Sequence, residues 1–215
     1  MNLSHHLDDA TLLALASGTI PHAHGIVAAA HVSMCPVCAK ALRQAEAIGG
    51  GLLGDSGTEP VSDMARAATL ASLDGVAPAT RKARAKSELP AALDFALGGI
   101  ALDQIKWKKK APGVAMYDVP MPKGSTSALK LLSIGPGRAM PEHGHGGEEL
   151  TLVLKGSYSD HMGTFRAGDV ADLDDSIEHT PVADAGETCI CLVAVEAPTR
   201  FKSVWARVMQ PFIGI

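Results

Sequence analysis

Aromatic side chains are scarce in this sequence. Phe, Trp and Tyr make up 4% of its 215 residues, although 47% are apolar. A core is affordable, but it must be packed from Ala, Leu, Val and Ile. Basic charge is in short supply as well. The net charge is −4, which argues against a nucleic-acid binder. Long hydrophobic runs are missing: no stretch approaches the ~20 apolar residues of a membrane helix. The start, Met1 to His6, shows neither the basic nor the apolar region of a signal peptide. The expected location is the cytoplasm. Cysteine is limited to two close pairs, Cys35/Cys38 and Cys189/Cys191. In a reducing compartment such pairs point to metal or redox chemistry rather than to structural disulfides. There is no internal repeat and no low-complexity tract.

What is present is unevenly spread. Residues 1–60 carry two basic and five acidic side chains, residues 61–110 nine and five, and the remainder eight and thirteen. The basic middle contains Arg81 to Lys86 and Lys106 to Lys110. It reads either as a surface for an acidic partner or as a solvated linker and strand edge.

The length suits two small domains, and the texture changes near residue 106. Before it, four helices are predicted, at 8–17, 22–33, 35–48 and 62–73. Gly18 and the Gly49-Gly50-Gly51 run serve as stops, Pro36 takes a first helical position, and Ser62 is a cap. Pro78, Pro90 and Gly98-Gly99 break up residues 74–104, which read as a linker with short helical pieces. After it, short apolar runs alternate with Gly, Pro and Asp turns, as at 128–134, 150–154, 170–173 and 189–195. That pattern predicts an antiparallel β-barrel or jelly roll. The last stretch, 204–215, reads as a short helix or strand. The expected class is α + β multidomain: a helical domain over 1–85, a linker over 86–105 and a barrel over 106–215.

Two groups of residues carry chemistry. In the first, His31 is followed by Cys35 and Cys38. Helical spacing lets a His ending one helix meet two Cys starting the next, and a helix N-terminus favours thiolates. Zinc takes four N or S ligands in a tetrahedron, so a fourth is needed. His5, His6, His22 and His24 are candidates, with Asp8 a weaker one. A redox Cys-x-x-Cys would call for a preceding strand in a βαβ setting, and none is visible. Inert buried cysteines are the blander alternative.

His-x3-Cys-x2-Cys in a short helical N-terminal domain resembles the zinc-binding anti-sigma family. The resemblance covers about residues 1–75. It implies three helices around a zinc, a fourth helix that packs on the sigma factor, and an upstream His that completes the site. His6 matches that position, with His5 as the near miss.

The second group runs from Gly137 to Gly156 and holds His143, His145 and Glu149. Positions two apart on a strand share a face, so both imidazoles can point into one cavity with the carboxylate. Such a set suits zinc, iron, manganese or nickel. The spacing resembles the first cupin motif at every defining position. The second cupin motif would supply His179. It is degraded, with Asp174, Ser176 and Ala183 where the family prefers Pro, Gly and Asn. A metal-free small-molecule shell is the alternative. Cys189 and Cys191 share a strand face with Cα atoms ~6.5–7 Å apart. That is near the upper limit for a disulfide, so they are either core thiols or redox-active ones beside the cavity.

Together, a zinc anti-sigma module followed by a metal-type cupin resembles anti-sigma factors of the ChrR type. The resemblance implies a cytoplasmic, non-enzymatic regulator bound one-to-one to an extracytoplasmic-function sigma factor, with no direct DNA or membrane binding. It implies zinc in both sites, inhibition by the first domain alone, and release through the cupin in response to singlet oxygen or organic hydroperoxide. The other reading is a metal-dependent cupin dioxygenase or isomerase with a zinc docking module.

Overall fold

A computed structural model describes residues 3–74, 89–197 and 200–201. The stretch at 204–215 and the basic run Arg81 to Lys86 lie outside the described residues.

The N-terminal part is helical. Helix α1 (Asp9–Ser17) ends at Gly18, whose φ of 71° gives the left-handed turn that returns its N–H to the Ala14 and Leu15 carbonyls. Helix α2 (His22–Val32) buries Ala23, Val27, Ala28 and Ala30 completely. Helix α3 (Pro36–Asp55) begins with Cys35 as its cap and Pro36 inside its first turn. Helix α4 (Asp63–Asp74) is capped by Ser62, whose hydroxyl accepts the Ala65 N–H at 3.2 Å.

One expectation fails here. The Gly49-Gly50-Gly51 run does not stop α3, which continues to Asp55. Glycine costs a helix about 1 kcal/mol per residue but does not by itself end one. The helix stops only at its cap Ser56, and the first left-handed glycine after it is Gly57, with φ of 80°.

After residue 89 the chain forms a short helix α5 (Ala91–Ala96) and a 3-10 turn, Leu102–Gln104. Leu93 of α5 is fully buried, and α5 packs on α2. Strands follow: β1 (Lys108–Ala111), β2 (Val114–Val119), β3 (Ala128–Ile134), β4 (His143–Gly144), β5 (Glu149–Lys155), β6 (Ser157–Asp160), β7 (Gly163–Arg166), β8 (Val170–Leu173), β9 (Glu178–His179), β10 (Val182–Ala183), β11 (Cys189–Val195) and β12 (Arg200–Phe201). They pair antiparallel in one large sheet ordered β1-β2-β3-β11-β5-β8 and two small ones, β10-β6-β7 and β12-β4-β9. The exposed lysines of β1 lie at the sheet edge, and Lys108 pairs with Asp118 at 3.2 Å. Charged edges of this kind resist pairing with other chains.

The large sheet is buried on both faces. One set of its side chains, including Leu129, Leu131, Leu150, Leu152 and Leu192, packs with Val27 of α2 and Leu93 of α5. The alternate set, including Ile134, Val153, Cys191 and Val193, fills the barrel interior with Tyr158 and Phe165. Burial on both faces explains why Leu150–Leu154 and Cys189–Val195 read as near-continuous apolar runs rather than as alternating ones. No single helix among the described residues is long and apolar enough to cross a membrane. Helices α1 and α2 reach that composition only as a pair bent by 109°.

Two candidate metal centres

The first centre is built where three segments meet. His6 lies on the extended segment before α1, His31 is in the last turn of α2, and Cys35 and Cys38 open α3. His31 Nε2 is 3.3 Å from Cys38 Sγ, and His6 Nδ1 is 3.3 Å from Cys35 Sγ. All four ligand atoms lie within 4.8 Å of one another. A tetrahedral zinc with N and S ligands spaces them roughly 3.3–3.8 Å apart. His31 Nδ1–H donates to the Gly168 carbonyl at 2.9 Å, which fixes the tautomer and turns the Nε2 lone pair toward the thiols. The Cys38 N–H points at Cys35 Sγ at 3.4 Å. Burial pushes the Cys38 thiol up to about 11. A divalent cation reverses that logic, because a coordinating thiol gives up its proton.

The other candidates for the fourth position face elsewhere. His5 stacks on Phe165 with centroids 4.0 Å apart, and His24 Nε2 bonds the Glu148 carbonyl at 3.1 Å. His22 and Asp8 are exposed, and neither joins the group of ligand atoms.

The second centre sits at the barrel mouth. His143 on β4 is register-paired with His179 on β9, and both are buried with His145. His143 Nδ1–H donates to the Pro141 carbonyl at 2.7 Å, and His179 Nδ1–H to Asp160 Oδ2 at 2.9 Å. Both rings therefore turn Nε2 inward, and the two Nε2 atoms are 3.2 Å apart. Two lone pairs that close repel unless a proton or a cation lies between them. The three His ligand atoms fall within 4.8 Å. Glu149 stands one step aside, with Oε2 3.1 Å from His145 Nδ1 and Oε1 accepting from the Thr151 hydroxyl. Burial opposes ionisation of Glu149, yet its bond and charge contact with His145 hold it below the ordinary carboxylate range. Both centres have donor sets that fit a metal ion.

A family profile described as the ChrR cupin-like domain matches residues 98–198. The chain is also 39% identical to the anti-sigma-E factor ChrR of Cereibacter sphaeroides, over the full length of both proteins. It belongs to the ChrR family. The crystal structure of Rhodobacter sphaeroides SigE in complex with the anti-sigma ChrR superposes with a TM-score of 0.76 at 36% identity. That match covers 90% of this chain and all of that one.

In this ChrR-family chain, Cys189 and Cys191 are free, buried, and 3.5 Å apart at sulfur. Their shared hydrogen bond and burial push Cys191 up, while the same bond holds Cys189 down. Two functional neighbours escaped sequence reasoning: Asp160, which orients His179, and Asp169, which accepts the Ser4 and His5 N–H groups at 2.8 and 3.2 Å. Neither belongs to a motif, and only the fold brings them to their partners.

Burial also lowers His31 and His143 from their ordinary value of 6.5. Burial makes both harder to protonate in the fold, whereas the unfolded chain takes up protons as pH falls through 6.5. Stability from this source is present above that pH and drains away below it. Metal-stripped protein should thus melt at a lower temperature at pH 5.5 than at pH 7.5 by circular dichroism. An unchanged or higher midpoint would exclude neutral, buried imidazoles.

Proposed function

We propose that this chain is an anti-sigma factor. It holds an extracytoplasmic-function sigma factor in a one-to-one complex in the cytoplasm, away from RNA polymerase. It lets go when the barrel meets singlet oxygen or an organic hydroperoxide. The observation that carries this reading is an apolar arm with no partner among the described residues. Every residue from Glu46 to Leu73 is exposed, including Ile48, Leu52, Leu53, Met64, Leu70 and Leu73. Two helices that leave this much apolar surface in water are built to bury it against another protein. The full-length relative named an anti-sigma-E factor, and the solved SigE complex of a ChrR, supply the class of that protein. A cupin enzyme would have no use for such an arm.

His6, His31, Cys35 and Cys38 would hold zinc, and that ion would cross-link three segments that share little core. The same residues place α3, and so the start of the arm. His143, His145, Glu149 and His179 would hold a second ion, zinc in this reading, with iron or manganese as the alternatives. The helical unit, about residues 1–85, does the inhibiting, and the barrel from about 106 onward does the sensing. Metal analysis of the purified chain beside co-purification with its sigma factor tests both halves.

The arm makes its own prediction. Met64→Asp and Leu70→Asp place a charge on an exposed face, so the fold should be untouched. Each should weaken sigma binding by about 2 kcal/mol, roughly 30-fold. Titration calorimetry beside a melt reads both quantities. Undiminished affinity in the double variant would move the interface elsewhere.

A further inference from the structure

The groups that orient the N-terminal tetrad do not all belong to the helical unit. Asp169 lies in the turn between β7 and β8 and is only 2% exposed. Its Oδ1 accepts the Ser4 and His5 N–H groups at 2.8 and 3.2 Å, and its Oδ2 accepts the Arg166 N–H at 3.0 Å. Gly168, beside it, takes the His31 Nδ1–H on its carbonyl at 2.9 Å. One barrel turn thus grips the backbone next to His6 and the ring of His31. The approach is close: a Cβ on Gly168 would come within 2.7 Å of Leu3 Cδ2.

We propose that Asp169 is a positioning residue for the N-terminal metal site, so that the barrel sets how firmly the tetrad keeps its ion. This rests on reading the tetrad as a metal site. His31, Cys35 and Cys38 are carried by helices, but His6 is on a segment with no helix of its own. Its place is therefore fixed by anchors on either side: Asp169 at Ser4 and His5, and Asp172 at Asp8. Removing the carboxylate strands three backbone donors and frees the ligand that has least support. The anchor also connects inward. His5 stacks on Phe165, Phe165 stacks on Tyr158 at 4.9 Å, and Tyr158 shares the interior core with Cys189 and Cys191.

The test uses the full chain loaded with cobalt(II). Thiolate-to-cobalt charge-transfer absorption reports ions held by Cys35 and Cys38 and is blind to a site of His and Glu alone. Excess chelator is added and the decay of the band is timed. Asp169→Ala should lose the ion about 10- to 100-fold faster than the unaltered chain, the usual cost of removing a group that orients a ligand. Asp169→Asn, which keeps one acceptor oxygen and a near-native shape, should fall between them. Val153→Ala, a cavity in the barrel core, should lower the melting temperature but change the decay by no more than a few-fold. Decay at the unaltered rate in both Asp169 variants overturns the proposal, and so does equally fast decay in Val153→Ala. If the unaltered chain shows no thiolate band, the tetrad reading fails and takes this proposal with it. A band that persists unchanged in the variants removes this proposal alone.

Discussion

Cys38→Ala should abolish capture of the sigma factor, with at least a 100-fold loss of affinity, and should leave the barrel folded. The first half follows from the site. Cys38 is one of four side chains at the meeting point of the segment before α1, α2 and α3. Structural zinc in small domains contributes roughly 10–16 kcal/mol of apparent binding energy that becomes folding energy. Among the helices, α1 and α3 pack mainly on each other, and Leu12 is the single buried residue of α1. Without the ion little holds α3 in place, and the arm extends from its end. The second half follows from α2. Ala23, Val27 and Ala28 are sealed against the large sheet and α5, so that helix has support the ion does not provide. Hydrogen exchange should therefore speed up in α1 and α3 while β5 and β11 stay protected. Full sigma binding by this variant, or uniform loss of protection across both parts, would contradict the assignment of the tetrad. Cys35→Ala should behave alike, since its Sγ is also the acceptor that caps α3.

The difference between α2 and α3 also explains what could be read in the sequence. Contacts between near neighbours were legible. His31, Cys35 and Cys38 meet because one helix ends and the next begins within seven residues of chain. His143, His145 and Glu149 lie close for the same reason, on β4, the loop after it and the first residue of β5. The helices and the antiparallel barrel followed from periodicity and turn residues. What was not legible is what lies across the fold. Leu93 falls in a stretch broken by proline and glycine, and nothing local marks it as a residue that closes the core between α2 and the sheet. Asp160 and Asp169 look like any surface acid in a turn until β6 and the β7–β8 turn bring them to His179 and Ser4. Gly49 to Gly51 misled for the opposite reason. Composition suggested a stop, but a helix that stays exposed along that stretch, with no partner there among the described residues, has nothing to force the break.

Alanine in place of His143, His145, Glu149 or His179 should leave sigma capture intact and blunt its release under oxidant. These side chains are buried in the strand-rich part and none belongs to the exposed arm, so the binding surface is not touched. The mouth is poorly held by hydrogen bonds alone, because β4 and β9 are two residues each and pair across His143 and His179. Ligands from both strands on one ion would make that pair rigid. Removing one should cost the ion most of its affinity, and Asp160→Ala should cost it about 10- to 100-fold by loosening the His179 ring. An oxidant can shift the sigma complex only if it acts differently on the bound and released states. A mouth with no ordered ion offers no such difference, and the reporter stays off under singlet oxygen or hydroperoxide. The thiols form a separate branch. If they take the oxidant, Cys189→Ser should blunt release with the ion still bound. Its sulfur lies 3.5 Å from that of Cys191, so an oxidised Cys189 has a resolving thiol beside it. Cys191→Ser should act by removing the sulfur 3.5 Å from Cys189 Sγ, the partner an oxidised Cys189 would bond. Metal content and reporter induction, read on the same variants, separate the branches. Normal induction in all four ligand variants removes the ion from the response, and normal induction in both serine variants removes the thiols.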